Sequence, residues 1–174
     1  MTLNLQSGDF ELFGLPERFA QDGAAIDARW KELQREAHPD RFAAEGPAAQ
    51  RVAMQWSVRI NEAYRRLKDP LQRAAYLCEL RGAPINAQDN TAMPTKFLIE
   101  QMEWREALEE AEGEEPLERL EQELLQAHRD VLQHIEQLLD RDNDAAAAAQ
   151  QVRALMFIER FGRDVQDRFE QLGQ

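Results

Sequence analysis

The sequence predicts an all-α protein, with an N-terminal helical hairpin followed by a C-terminal three-helix bundle. β-branched residues are sparse, and no segment alternates polar and apolar residues as a half-buried strand does. Apolar residues instead recur every three or four positions over long stretches, as they do on one face of a helix. Gly and Pro residues separate these stretches. A chain of 174 residues is long enough to bury a core in one domain or in two small ones.

The first half of the chain is expected to contain four helices. They are predicted at about 9–13, 22–37, 47–69 and 71–80. Asp22 is the expected N-cap of the second helix, because its side chain can accept from a free backbone N–H in the first turn. Pro47 suits the first position of the long third helix, where no backbone donor is needed. Residues 38–46 are predicted to form the loop between these two helices.

Three amphipathic helices are predicted in the second half, at about 95–112, 116–140 and 143–172. Gly113 and Asp142-Asn143 mark the breaks between them. Three consecutive helices with short connections are typical of a bundle. Residues 83–94 are rich in turn formers and lack periodicity, so we expect a linker there. The predicted domains are therefore 1–82, a linker at 83–94, and 95–174.

The net charge of −12 is distributed unevenly. Residues 1–82 carry twelve acidic and twelve basic side chains, so the whole acidic excess lies in residues 83–174. This asymmetry indicates two modules with different partners, and the acidic surface argues against nucleic acid. Low hydropathy predicts no membrane span or signal peptide. The single cysteine, Cys78, suits a reducing compartment, and we expect a cytoplasmic protein.

The tripeptide His38-Pro39-Asp40 lies between two helices whose apolar faces predict that they pack together. These faces carry Ile26, Trp30, Leu33 and Ala37 before the loop, and Val52, Trp56, Ile60, Ala63 and Leu67 after it. A loop held by a rigid scaffold is a common place for contacts with a partner. Pro39 fixes its own φ and restricts His38, and Asp40 can accept charge-assisted hydrogen bonds.

Residues 1–82 resemble a J-domain, the module by which DnaJ-type co-chaperones engage a DnaK-class chaperone. The resemblance rests on His38-Pro39-Asp40-Arg41-Phe42, on the segment 10–16, and on Ile60-Asn61-Glu62-Ala63-Tyr64. It implies that His38, Pro39, Asp40 and the adjacent Arg41 contact the chaperone and promote its ATP hydrolysis. Lys31 and Arg35 lie opposite the apolar stripe of their helix, where their positive charges would attract an acidic surface of the partner and guide its approach. The alternative for these two cations is an ordinary solvated face.

A metal or catalytic site at His38 is the competing interpretation, and the sequence does not favour it. The candidate helpers are His128, His134, Asp40 and Cys78. The two further histidines are not spaced i, i+4, and no Cys-x-x-Cys pair exists. No nucleophile is paired with a base. We expect neither an enzyme nor a bound cofactor.

The predicted helix at 95–112 carries apolar side chains outside its core face. Helical geometry places Phe97, Trp104, Leu108 and Ala111 on the core side. The opposite side carries Ile99, Glu103, Glu106 and Glu110, and Leu98 and Met102 flank that stripe. Phe157 also lies away from the apolar seam of the last helix and is expected to join this patch. Such a patch is suited to binding a protein that has a basic, partly apolar face. The alternative is that the patch packs against the J-domain across the linker.

Taken as a whole, the chain resembles the HscB family, the J-domain co-chaperones of iron–sulfur cluster assembly. Within the C-terminal domain, residues 97–103 are the stretch that resembles the family most closely. The resemblance implies two partners, the scaffold protein IscU and the DnaK-class chaperone HscA. The implied scaffold-binding residues are Leu98, Ile99, Met102, Glu103, Glu106, Glu110 and Phe157. Ala37 departs from the aromatic residue common before the histidine, and Arg41 replaces a common lysine. The cysteine cluster that some eukaryotic members carry ahead of the J-domain is missing, so the resemblance implies a bacterial cytoplasmic form. The alternatives are a general client-binding J-protein and an iron or cluster carrier, which the lone cysteine disfavours.

Overall fold

The computed structural model describes residues 3–86 and 92–174, and within these ranges it contains helices and no strand. The α-helices are α1 Asp9–Phe13, α2 Gly23–Ala37, α3 Pro47–Lys68, α4 Pro70–Leu80, α5 Thr95–Glu110, α6 Glu114–Glu136 and α7 Ala145–Leu172. A 3₁₀ helix, Pro39–Glu45, lies between α2 and α3, and a π-helical segment, Gln137–Arg141, extends α6. The predicted all-α fold is confirmed.

The chain divides into two compact units, Met1–Tyr76 and Leu77–Gln174. The division falls within α4. The predicted domains 1–82 and 95–174 and the predicted linker 83–94 stay predictions, and residues 87–91 of that linker lie outside the described part of the chain.

In the first unit, α2 and α3 form the predicted hairpin. Ile26 and Leu33 of α2 are buried, as are Ile60, Ala63 and Leu67 of α3. The Trp30 ring stacks on Tyr64 with centroids 4.7 Å apart, and its indole N–H donates to Asn61 at 2.9 Å. The expectation that Val52 belongs to this apolar seam is wrong. Its side chain is half exposed and borders an apolar cavity of about 520 Å³ that is also lined by Phe42 of the 3₁₀ helix.

A buried ion-pair cluster ties α1 to α3. The Asp9 carboxylate is fully buried and accepts from Arg66 Nε at 2.6 Å and Arg66 Nη2 at 2.9 Å. Arg59 Nη2 lies 2.7 Å from the same carboxylate. The hydrogen bond to Asp9 raises the pKa of the Arg66 guanidinium above its ordinary value. A buried carboxylate needs such partners, because burying an unpaired charge is costly.

The second unit is a three-helix bundle with an aromatic centre. Its core contains apolar residues of α5, α6 and α7: Phe97, Trp104, Leu120, Leu124, Ala154, Phe157, Ile158, Phe161 and Val165. The core side predicted for α5 is confirmed. Gly113, at φ +88°, separates α5 from α6, and Asn143, at φ +50°, precedes α7, as the sequence predicted. Asp144 caps α7 by accepting from the Ala147 N–H at 3.0 Å.

Arg153 is a buried cation in the middle of α7. Its Nε donates to the carbonyl of Ile85 at 3.1 Å, and its Nη1 donates to the carbonyl of Ala92 at 3.0 Å. One guanidinium thus binds the chain on both sides of the undescribed residues 87–91. Hydrogen bonds from a charged donor are stronger than those between neutral groups, so Arg153 fixes the point from which the chain enters α5.

Cys78 is expected to resist alkylation while the protein is folded. Its thiol is fully buried, and the loss of solvation raises its pKa to about 11. Because the thiolate is the reactive form, about one molecule in a thousand carries it at pH 8, and burial blocks the reagent as well. Mass spectrometry after iodoacetamide treatment should show slow labelling in buffer and complete labelling in urea. Rapid labelling of the native protein would contradict this expectation.

Candidate functional site

The His-Pro-Asp tripeptide forms a tight, exposed turn between α2 and the 3₁₀ helix. The backbone N–H of Asp40 donates to His38 Nδ1 at 3.2 Å, and the N–H of Arg41 donates to the His38 carbonyl at 3.0 Å. Because Nδ1 accepts this hydrogen bond, the second ring nitrogen, Nε2, is the atom of His38 that can donate to a partner. The side chains of His38 and Asp40 are 57% and 91% exposed. The turn therefore offers a donor and a carboxylate to a partner.

The expected loop at 38–46 is partly helical. Pro39 occupies the first position of the 3₁₀ helix, where its fixed φ is favourable, and His38 caps that helix with its own ring nitrogen. His38 and Pro39 thus help to order most of the segment that had been predicted as a loop between two helices.

The cations predicted to flank the turn lie where the sequence placed them. Lys31, Arg35 and Arg41 are all exposed. The Arg41 guanidinium donates to the Arg35 carbonyl at 3.3 Å, which places a positive charge at the C-terminal end of α2. Cations stabilise this end of a helix because its carbonyls carry partial negative charge. Positive groups therefore border the turn on the α2 side.

A polar network behind the turn fixes α2 against α3. The Gln34 amide donates to Asn61 Oδ1 at 2.7 Å and accepts from Ser57 Oγ at 2.8 Å. Nearer the other end of the hairpin, the Asp27 carboxylate accepts from Lys68 at 2.8 Å and from the Tyr64 hydroxyl at 2.7 Å. The hydrogen bond from Lys68, and then that from Tyr64, lowers the pKa of Asp27. The sequence did not predict this network, although Asn61 and Tyr64 belong to the segment 60–64 that resembles a J-domain.

The α5 patch, defined as Leu98, Ile99 and Met102 with Glu103, Glu106 and Glu110, is exposed as predicted. Leu98 is 44%, Ile99 56% and Met102 72% exposed, and the three glutamates are also exposed. Neither Phe97 nor Trp104 contributes to it, because both belong to the core. The arrangement is an apolar strip with carboxylates along one side.

The expectation that Phe157 lies away from the core is wrong. Its side chain is 4% exposed, and its ring packs against Phe97 and Phe161 at centroid distances of 5.7 and 5.6 Å. The buried face of α7 is wider than one seam, because aromatic rings of α5 and apolar residues of α6 both pack against it. The guanidinium of Arg105 lies 5.3 Å above the Phe157 ring. Sequence reasoning did not single out Arg105.

Within 3–86 and 92–174, no three His, Cys, Asp or Glu side chains are grouped so as to hold a metal ion. No helix in those ranges has the length and apolar content required to cross a membrane.

The fold and the turn together define the class of this protein. A packed helical hairpin with an exposed His-Pro-Asp turn, in the same chain as an acidic three-helix bundle, is the architecture of a J-domain co-chaperone. Residues 93–166 match the family model described as the HSCB C-terminal oligomerisation domain.

Relatives identify the family. The chain is 49% identical to a co-chaperone protein HscB homolog of Burkholderia multivorans, over 98% of both chains, and 48% identical to one of Cupriavidus taiwanensis, over 99% of both. It superposes on chaperone HscB from Vibrio cholerae with a TM-score of 0.81 and 36% identity, covering 95% of this chain and 99% of that one. For human co-chaperone HscB the TM-score is 0.86 at 26% identity, covering 97% and 85%. The chain belongs to the HscB family of co-chaperones and acts as a co-chaperone in iron–sulfur cluster assembly.

Proposed function

We propose that this co-chaperone binds the scaffold protein IscU through the α5 patch and delivers it to the DnaK-class chaperone HscA. The His38-Pro39-Asp40 turn then stimulates ATP hydrolysis by the chaperone, and the protein itself performs no chemistry. The observation that carries the proposal is the presence of two exposed surfaces of different chemistry on two compact units. One is a turn bordered by cations, and the other is an apolar strip bordered by carboxylates.

Electrostatics supports this assignment of partners. Lys31, Arg35 and Arg41 would attract an acidic chaperone surface and raise the association rate. Glu103, Glu106 and Glu110 are aligned on α5, and the repulsion between their carboxylates destabilises the helix. A basic partner would neutralise these charges and so remove the repulsion. Relatives from Burkholderia and Cupriavidus and the single cysteine support a place in the bacterial cytoplasm.

The double substitution Leu98→Ala with Met102→Ala is expected to weaken IscU binding by at least about tenfold. A few side chains near the centre of an interface commonly carry most of its affinity, and one factor of ten corresponds to about 1.4 kcal/mol. Isothermal titration calorimetry measures the effect. Stimulation of the HscA ATPase in the absence of IscU should be unchanged.

The matched control is Leu125→Ala. Leu125, on α6, is 45% exposed, almost the same as Leu98, so the substitution removes an equivalent side chain outside the patch. IscU binding should be preserved in this variant. Equal losses in both variants would show that the patch is not the binding surface. Binding of unrelated denatured peptides as tight as that of IscU would instead favour a general client-binding J-protein.

A further inference from the structure

A cavity of about 520 Å³ lies at the end of the first unit that carries the His-Pro-Asp turn. Its walls belong to α1, α2, the 3₁₀ helix and α3, and they include the apolar side chains of Leu12, Leu33, Phe42, Val52, Trp56 and Ile60. Sites for small molecules typically have volumes of about 300–1,000 Å³ and mainly apolar walls with few polar groups. The cavity is therefore large enough to enclose a small organic molecule.

Small side chains leave this space unfilled. Ala37, at the end of α2, and Ala49 and Ala53, on α3, line the cavity, and the two α3 alanines are one helical turn apart. The rings of Phe42 and Trp56 are only half-buried. A ligand with an apolar body would therefore cover aromatic surface that the fold alone leaves in contact with water.

Two carboxylates give the cavity a negative edge. Among the described residues, Glu36 and Glu45 are the charged side chains that line it, and both are exposed. Within 3–86 and 92–174, neither carboxylate forms an ion pair, and Arg35 and Arg41 do not line the cavity. A positive group on a ligand would find two acceptors there, and hydrogen bonds between charged groups are stronger than those between neutral ones.

We propose that this cavity is a binding site for a small molecule that has an aromatic or other apolar body and a protonated amine. The body lies against Phe42 and Trp56, and the ammonium group pairs with Glu36 and Glu45. An anion of the same shape is disfavoured, because the two carboxylates repel it. This site is distinct from the two protein-binding surfaces of the proposed function, although Phe42 and Glu45 belong to the 3₁₀ helix that begins at Pro39.

Two probes with the same body and opposite charge test the chemistry of the site. Phenylbutylamine is protonated at pH 7, as a lysine side chain is, whereas phenylbutanoate is an anion at that pH. Calorimetric titration of the full chain should show one equivalent of the amine bound at least about fivefold more tightly than the carboxylate, as expected for two exposed ion pairs. The amine should also change the tryptophan fluorescence, and Trp56→Phe should remove that change while calorimetric binding persists.

A pair of matched variants places the probe in the cavity. Ala49→Phe fills the space from α3, whereas Ala48→Phe makes the same change at the preceding, exposed position, which does not line the cavity. With the fold of both checked by circular dichroism, Ala49→Phe should weaken amine binding at least about tenfold. Ala48→Phe should leave it unchanged.

The double substitution Glu36→Gln with Glu45→Gln tests the carboxylates without altering the core, since both side chains are exposed. It should abolish the preference for the amine over the carboxylate. Equal binding of the two probes by the unmodified protein, or undiminished amine binding by Ala49→Phe, would overturn the proposal. The absence of saturable amine binding would overturn it as well.

Discussion

Replacement of His38 by Gln is expected to reduce stimulation of the chaperone ATPase to nearly the basal rate, a loss of at least about tenfold. The imidazole both holds the turn, by accepting from the Asp40 N–H at 3.2 Å, and presents the opposite ring nitrogen to solvent. A glutamine amide is flexible and cannot keep both roles in one rigid plane. The side chain is exposed, so the free energy of unfolding should change by no more than about 0.5 kcal/mol. A steady-state ATPase assay with the paired chaperone gives the result.

His134→Gln is the matched control, because it makes the same chemical change at an exposed position on α6. Stimulation should be preserved in this variant. Scaffold binding by the His38→Gln variant should also be preserved, since the α5 patch belongs to the other compact unit. If His38→Gln stimulated the ATPase normally, the turn would not be the chaperone contact. If it lost scaffold binding as well, the assignment of two separate surfaces would be wrong.

Asp9→Asn is expected to destabilise the first unit by about 3 kcal/mol. The substitution keeps the shape of the side chain but leaves Arg59 without its counter-charge and Arg66 with only the exposed Glu62. Breaking a buried pair in this way costs about 3–5 kcal/mol. We expect a cost at the lower end of this range because Arg66 is one-third exposed, so water can solvate part of its charge, although Arg59 is largely buried. Arg59 Nη1 already lacks a protein partner among the described residues. A loss of this size is a large part of the stability of a small domain.

Hydrogen exchange of α1 and α3 measures this loss locally, which matters because two compact units need not unfold together. Glu62→Gln is the control. Glu62 pairs with the same Arg66, at 3.1 Å, but its side chain is 53% exposed, so its removal should cost less than about 1 kcal/mol. Similar costs for Asp9→Asn and Glu62→Gln would show that the Asp9 cluster is not a main support of the fold.

Local patterns in the sequence predicted most of the helices and both candidate surfaces. Ile26, Leu33, Ile60 and Leu67 lie in the core because a 3.6-residue period directs them to one face. The exposure of Leu98, Ile99 and Met102 follows from the same geometry, since Phe97 and Trp104 settle which side of α5 is buried. Local signals of this kind depend on neighbouring residues alone.

The features that escaped prediction depend on residues far apart in the chain. Asp9 pairs with Arg66, which is 57 residues away, and nothing beside Asp9 indicates that it is buried. Phe157 was misplaced because a single seam was assumed for α7, whereas a helix that contacts two others buries a wider face. The contact between the Arg105 guanidinium and the Phe157 ring depends on the position of that same ring. Such pairings are set by tertiary packing, which a helical period does not encode.

Among the described residues, the Arg153 guanidinium donates to two backbone carbonyls, those of Ile85 and Ala92. Every amino acid presents the same carbonyl group, so the identities of Ile85 and Ala92 are not what the contact recognises. A substitution at position 85 or 92 leaves a carbonyl in place for this contact, whereas a substitution of Arg153 removes both hydrogen bonds. The point at which the chain enters α5 therefore depends on Arg153 more than on the side chains at positions 85 and 92.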